Sequence, residues 1–381
     1  MRQKSSHVLF ALAVCCVLVL SSSCSQEKTR EKGAGWKGSV ERVDGVIIIK
    51  NPLEPMYGDE AFILEEELTI GEAEGREEYM FQNIYTVAVN GRGDIYVMDT
   101  KAHHVKAFDK DGRYLRTIGR PGQGPGELYL PRSLVYTDRD EIVVGNISNI
   151  SYFTSEGVYV KSIPLSAAQI LSIDIDNAGN IFGYSIDREK MVYALKKYDP
   201  ELNELLFYGS SPLPTEEYRR TGKRNAFFTL LRWDIINGDQ VVTGYPEEGY
   251  VIKILDSSGS LIRKIEKDYT PIEITQKDFE EEIAGHPPEF KKDYYAPKYF
   301  PPFWTLRADD EGRIWVTTSE RTADGERRIY DVFDVEGKYI LKMALKASPR
   351  IFKNKKMYTI EEDEEGYQSV KRYSLTWRIE E

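Results

Sequence analysis

Arg132, Arg232 and Arg307 are the residues of this sequence best suited to hold an anion, and Trp233 and Trp304 lie close to two of them. A guanidinium grips a carboxylate or phosphate through paired N–H donors, and an indole offers a flat face for stacking. Asp174 and Asp234 fall in comparable positions, so the same arginines have a second use, pairing with those carboxylates to tie strands together. Asp99, His103 and Tyr245 complete the candidate ligand-binding set. Catalytic signatures are missing: there is no His-Glu-x-x-His, no phosphate loop and no Gly-x-Ser-x-Gly. His103 and His104 are adjacent, so on a strand they point to opposite faces and cannot chelate one metal together. No catalytic residue, metal ligand or cofactor is therefore nominated, although a divalent cation among channel acids stays open. Gly122, Gly124, Pro125, Gly126 and Glu127 mimic a phosphate cradle, but Pro125 removes a donor and no helix pattern follows, so the stretch reads as a structural turn.

The elements that must position these residues are short strands. Between Asn83 and Pro131, three alternating runs (Asp94 to Met98, Val105 to Asp109, Tyr114 to Ile118) are separated by turns at Asn90 to Gly93 and Asp109 to Gly112. The marker Asp94-Ile-Tyr-Val returns as Glu141-Ile-Val-Val, Asn180-Ile-Phe-Gly, Asp239-Gln-Val-Val, Arg313-Ile-Trp-Val and Lys356-Met-Tyr-Thr. The turn Phe108-Asp-Lys-Asp-Gly112 returns at Phe153, Leu255 and Phe333, with a degenerate copy at Tyr198 to Leu202. Repeats of roughly forty to seventy residues with about four strands each fit propeller blades. The expected fold is an all-β, six-bladed propeller of four-stranded antiparallel blades.

Composition agrees: 41% hydrophobic and 12% aromatic residues suit a β-rich domain, and a formal charge of −11 argues against nucleic-acid partners. Val8 to Leu20 is apolar and follows Arg2 and Lys4; as a helix it would span only about 20 Å, so it reads as a secretion signal rather than a membrane span. Ser21 to Ser23 lead into Cys24, and charged residues follow. This resembles a bacterial lipoprotein signal, with Ser21 where Leu is usual, and implies lipidation at Cys24 and a place in the cell envelope as an outer-membrane lipoprotein. The remaining cysteines, Cys15 and Cys16, precede Cys24, so no disulfide is expected in the body.

With these motifs in view, the chain resembles six-bladed β-propeller lipoproteins related to NHL repeats, through Gly122-Gln-Gly-Pro-Gly-Glu127 and the Phe-Asp-x-x-Gly turns. The expected organisation is a signal at 1–24, a tether at 25–45 and a propeller at 46–381. Its blades fall at about 83–119, 131–165, 170–209, 226–267, 303–346 and 350–377, the last joined by 62–70 because an unpaired strand edge must be covered. Long connections at 119–131, 210–224, 267–302 and 320–328 share one face, which marks it as the working face. Within 267–302, Ile274 to Gly285 reads as a short helix capped by Thr275, in an aromatic flap over the axial opening. The function expected is an envelope-anchored, non-catalytic, monomeric binding or interaction module for a glycan, peptide or envelope protein. Its membrane contact is through lipid alone. The other reading is a lactonase-like or NHL-lyase-like enzyme with acidic or metal-assisted chemistry in the channel.

Overall fold

The computed structural model describes residues 35–165 and 170–378. The signal segment, Cys24 and residues 25–34 of the expected tether lie outside them.

The repeats fold as six radial sheets. In chain order their strands are 84–89, 95–99, 104–108 and 114–118 in blade 1; 133–136, 141–145, 149–154 and 159–164 in blade 2; and 171–175, 181–187, 192–198 and 204–212 in blade 3. Blade 4 takes 232–236, 240–244, 251–255 and 261–267, blade 5 takes 303–308, 314–321, 328–333 and 339–345, and blade 6 takes 349–353, 356–362 and 368–377. The fourth strand of blade 6 is Phe62–Ile70, which pairs antiparallel with Gln368–Trp377 from Val370↔Ile70 to Trp377↔Phe62. Each sheet buries both faces against its neighbours, because a single meander hides too little apolar surface to be stable. Apolar clusters accordingly fill each space between consecutive blades, including one between blades 6 and 1 built on Ile70, Ile84, Val97 and Tyr358. Burial peaks on the second strand and falls toward the rim: Ile95–Asp99 is buried throughout, whereas the innermost Ile84–Val89 leaves Tyr85 exposed and the outer Tyr114–Ile118 alternates with solvent.

One local device sets the turns. In Asp109-Lys-Asp-Gly112 the Asp109 carboxylate accepts from the backbone N–H groups of Asp111 (2.9 Å) and Arg113 (2.8 Å), and Gly112 takes φ 80°. The same clasp forms at Asp176, Asp256, Asp309 and Asp334. It also forms in the degenerate copy at Asp199, where Leu202 is driven to φ 67°. Pro200 does not interfere, since no bond of the clasp uses its missing N–H.

One expectation is corrected. The tether does not extend to residue 45: Ser39–Val43 pairs with Val46–Asn51, and that hairpin adds to blade 4 through parallel pairing of 47–51 with 263–267, making a six-stranded sheet. The chain then crosses blade 5, where Met56 and Tyr57 donate to the carbonyls of Tyr339 and Ile340, before entering blade 6. Asn51, only 3% exposed, pins this strap: it accepts from Tyr339 N (2.7 Å) and Trp36 Nε1 (2.9 Å) and donates to Gly337 O (2.9 Å).

In the 267–302 insertion, Thr275 caps a helix at Gln276–Glu282 with a reciprocal Asp278 bond, ending before Gly285. A second helix, Pro214–Thr221, opens with proline in its first turn and stops at Gly222 in the left-handed region. These two insertions hold each other, since Arg224–Asn225 pairs with Tyr294–Tyr295 and Tyr295 Oη donates to Glu217.

Candidate functional site

The innermost strands of all six blades enclose an axial channel of about 850 Å³. That volume lies within the range of small-molecule sites. Each inner strand runs from the long-loop face to a tight turn, and the turns fix a common register. Asp176 N bonds Asn180 O, Asp309 N bonds Arg313 O, and Ile236 pairs with Gln240 in the same way. Two residues before each of these stand Asp174, Asp234 and Arg307, with Ala88, Val135 and Ile351 at the matching places of the other blades. One layer of the channel is thus charged on three consecutive blades and apolar on the other three.

The two carboxylates differ in how they are held. Asp234 spans blades, accepting from Ile235 N (2.9 Å) and Ala308 N (2.9 Å). Burial raises its pKa, opposed by the Arg307 charge and these backbone donors. Asp174 accepts from Ile175 N (2.7 Å), and its pKa is pushed up to about 7, first by burial and then by the negative charge of Asp234. Ser172, beside it in the wall, takes φ 55°, a strained conformation for a serine.

Nearer the long-loop face lie Arg132, Arg232 and Arg350, from blades 2, 4 and 6. Arg132 is carried there by the Gly122 to Glu127 turn, which closes on its own carboxylate: Glu127 accepts from Gly124 N (2.9 Å) and Arg120 Nε (3.1 Å). Leu128 is then buried among blades 1 and 2, and Arg132 N bonds Gly145 O at 2.7 Å. Arg232 is half-buried and its Nε has no hydrogen-bond partner. Burial lowers its pKa, and the like charge of Arg307 adds to this; Arg350 is lowered by the same two causes. Among the described residues no carboxylate lies within 4.0 Å of Arg132, Arg232, Arg307 or Arg350. The inter-blade ion pairs that the arginines could have formed with Asp174 and Asp234 are not made.

The remaining candidates lie elsewhere. Trp233 borders the channel, but its ring stacks on Phe182 at 6.1 Å in the core between blades 3 and 4. Tyr245 joins the same cluster, and Trp304 is not part of the channel lining. Asp99 is 1% exposed and caps its own loop, accepting from Gln82, Asn83, Lys101 and Ala102 N–H groups. His103 sits at φ 54° with its ring edge-on to Tyr129. No residue of the 267–302 insertion lines the channel. Arg350 and Tyr184 were not anticipated as channel residues; Arg350 was findable as the lone arginine of the sixth inner strand, whereas Tyr184 comes from a second strand and carries no such signal. Among the described residues no three His, Cys, Asp or Glu side chains gather as a metal site.

The sequence profile of a family described as a 6-bladed beta-propeller matches residues 72–208. A curated relative, Protein brain tumor of Drosophila melanogaster, is 31% identical over 112 residues, which span 28% of this chain and 11% of that protein. Among solved structures, one named as an exported protein of Bacteroides fragilis superposes with a TM-score of 0.57 at 11% identity, covering 87% of this chain and 100% of that one. A gluconolactonase of Xanthomonas campestris gives a TM-score of 0.44 at 10% identity over 77% of this chain and 87% of its own. Sheet order and family match together make the chain a six-bladed β-propeller, related through residues 72–208 to the family of that description.

Proposed function

We propose that the protein is an envelope-tethered, non-catalytic binding propeller whose axial channel takes an anionic, hydroxyl-bearing small molecule. The observation that carries this reading is the set of channel guanidiniums without carboxylate partners, Arg232 Nε being buried and unbonded. A buried donor left unmade costs about 1–3 kcal/mol, a cost that an anion entering the channel would remove. The donor set does not suit a divalent cation, since the two mid-channel carboxylates are outnumbered by guanidiniums and Asp234 is already held by two backbone N–H groups. Envelope attachment rests on the Cys24 signal.

The test is a thermal-shift and calorimetry screen of uronic acids, sugar phosphates and acidic peptides against the wild type and an Arg232→Gln, Arg307→Gln double variant. A ligand at about a hundred times its Kd should add about 2.7 kcal/mol of stability. The variant should lose that gain; if no anion stabilises the wild type, the reading fails. One observation favours a second reading: a carboxyl with a pKa near 7 in a channel, as at Asp174, is the property of a general acid or base. Lactone hydrolysis by the wild type, abolished in Asp174→Asn, would establish that reading instead.

A further inference from the structure

We infer that the channel admits its ligand head-first from the long-loop face, and that the head is a doubly charged oxyanion of the phosphate-monoester class. This rests on the axial channel being the binding site.

The geometry is polarised along the axis. Arg132, Arg232 and Arg350 stand at the long-loop end on blades 2, 4 and 6, every second blade of the ring, so their guanidiniums approach the axis from three directions. Arg132 and Arg350 are exposed, whereas Arg232 and, one layer deeper, Arg307 are half-buried. An anion therefore meets cations in succession as it leaves water. At the opposite end the wall carries Asp138 and Asp310 beyond the tight turns, with Lys353 as the cation among them. Asp176 and Asp309, also there, are already engaged by Lys197 (2.8 Å) and Arg313 (3.5 Å). An anion arriving from that side would meet carboxylates first, and like charge repels it.

Charge counting sets the head group. Arg132, Arg232, Arg307 and Arg350 face two mid-channel acids, Asp174 and Asp234, which leaves a surplus of at least two positive charges, two when Asp174 is fully ionised. A carboxylate or sulfate ester neutralises one of them. A phosphate monoester carries about −1.5 to −2 near neutrality and offers three acceptor oxygens, matching donors that converge from three blades. Beneath the head, Asp174 uses one carboxylate oxygen on Ile175 N, and the other is free to accept from a hydroxyl of the carrier.

The experiment titrates the purified full chain with glucose 6-phosphate, glucose 6-sulfate and glucose, which share one carrier and differ in charge. The phosphate should bind at least tenfold more tightly than the sulfate, with no detectable binding of glucose. Arg232→Gln and Arg350→Gln should each weaken phosphate-ester binding tenfold or more while melting as cooperatively as the wild type. Arg132→Gln should slow association several-fold, whereas Asp138→Asn with Asp310→Asn should leave the association rate unchanged. Equal affinity for sulfate and phosphate overturns the head-group assignment, and faster association in the Asp138, Asp310 variant overturns the direction of entry. Binding that ignores Arg232→Gln in a folded variant puts the ligand elsewhere, and failure of all three probes to bind overturns this inference. Failure of every anion in the wider screen is what removes the binding reading itself.

Discussion

Replacing Asp174 by Asn should stabilise the protein at alkaline pH and leave it unchanged in acid. In the folded chain the Asp174 carboxyl titrates near 7, against an ordinary value of 3.8, because burial and the adjacent Asp234 charge penalise its ionised form. Below about pH 4 the group is protonated whether the chain is folded or not, so it contributes no difference. Between about 4 and 7 the unfolded chain loses the proton while the folded chain keeps it, and stability falls as pH rises. Above 7 the penalty is complete and constant. A shift from 3.8 to about 7 is worth about 4 kcal/mol at 1.36 kcal/mol per unit, an upper figure for a half-buried group. For roughly 340 ordered residues at about 2.1 cal/mol/K each, that corresponds to about 6 °C in Tm. Asn keeps the carbonyl oxygen that accepts from Ile175 N and removes the charge. Calorimetric melts at pH 4 and pH 8 should show Asp174→Asn matching the wild type at the lower pH and melting several degrees higher at the upper one. Equal shifts at both values would refute the argument, since a packing change has no reason to follow a carboxyl titration.

Asn51→Ala should lower stability by about 3 kcal/mol, roughly 4 °C in Tm, because it strands the buried Tyr339 N and Gly337 O; limited proteolysis should cut first within 39–61 as the strap loosens. Lys267→Met should cost about 3 kcal/mol or more in urea unfolding, because Lys267 sits 3.4 Å from the buried Asp331 carboxylate that Tyr250 and Tyr339 also bond. Adding Asp331→Asn to Lys267→Met should recover part of that loss, and a simple sum of the two single effects would show that the groups are not coupled. Cys24→Ser should move the protein from the detergent phase to the aqueous phase in phase partition, and unchanged partition would rule out lipid attachment at that residue.

The blades were legible because their turns are chemical. An aspartate accepting from two backbone N–H groups, with a residue able to take positive φ behind it, recurs even where Leu202 replaces glycine. The N-terminal hairpin was missed for the opposite reason. All five residues of Ser39–Val43 are exposed and read as linker, although Asp44-Gly45, at φ 48° and 88°, is a strong short hairpin signal between alternating runs. The helix at Pro214–Thr221 was signalled by proline at its start and Gly222 at its end, but it buries none of its residues, so no apolar stripe marks it as a helix. Of the site, sequence reasoning found the arginines on inner strands, since strand order alone sets their distance from the axis. It could not find whether they were paired, because that depends on which neighbouring blade each side chain leans toward.

That last distinction separates a structural role from a binding one. Where this protein buries a charge for architecture, it supplies a partner: Lys197 meets Asp176 at 2.8 Å, and Lys267 meets Asp331 inside a cage of two tyrosine hydroxyls. The channel breaks that habit. Asp234 spends both oxygens on backbone N–H groups, Asp174 spends one on its own strand, and Arg232 keeps a buried Nε without an acceptor. Apolar side chains at Asp174, Asp234 and Arg307 would continue the layer already set by Ala88, Val135 and Ile351 and would remove the desolvation cost. Charges kept where the fold does not require them, and left without an ion pair, are what the proposed anion would complete.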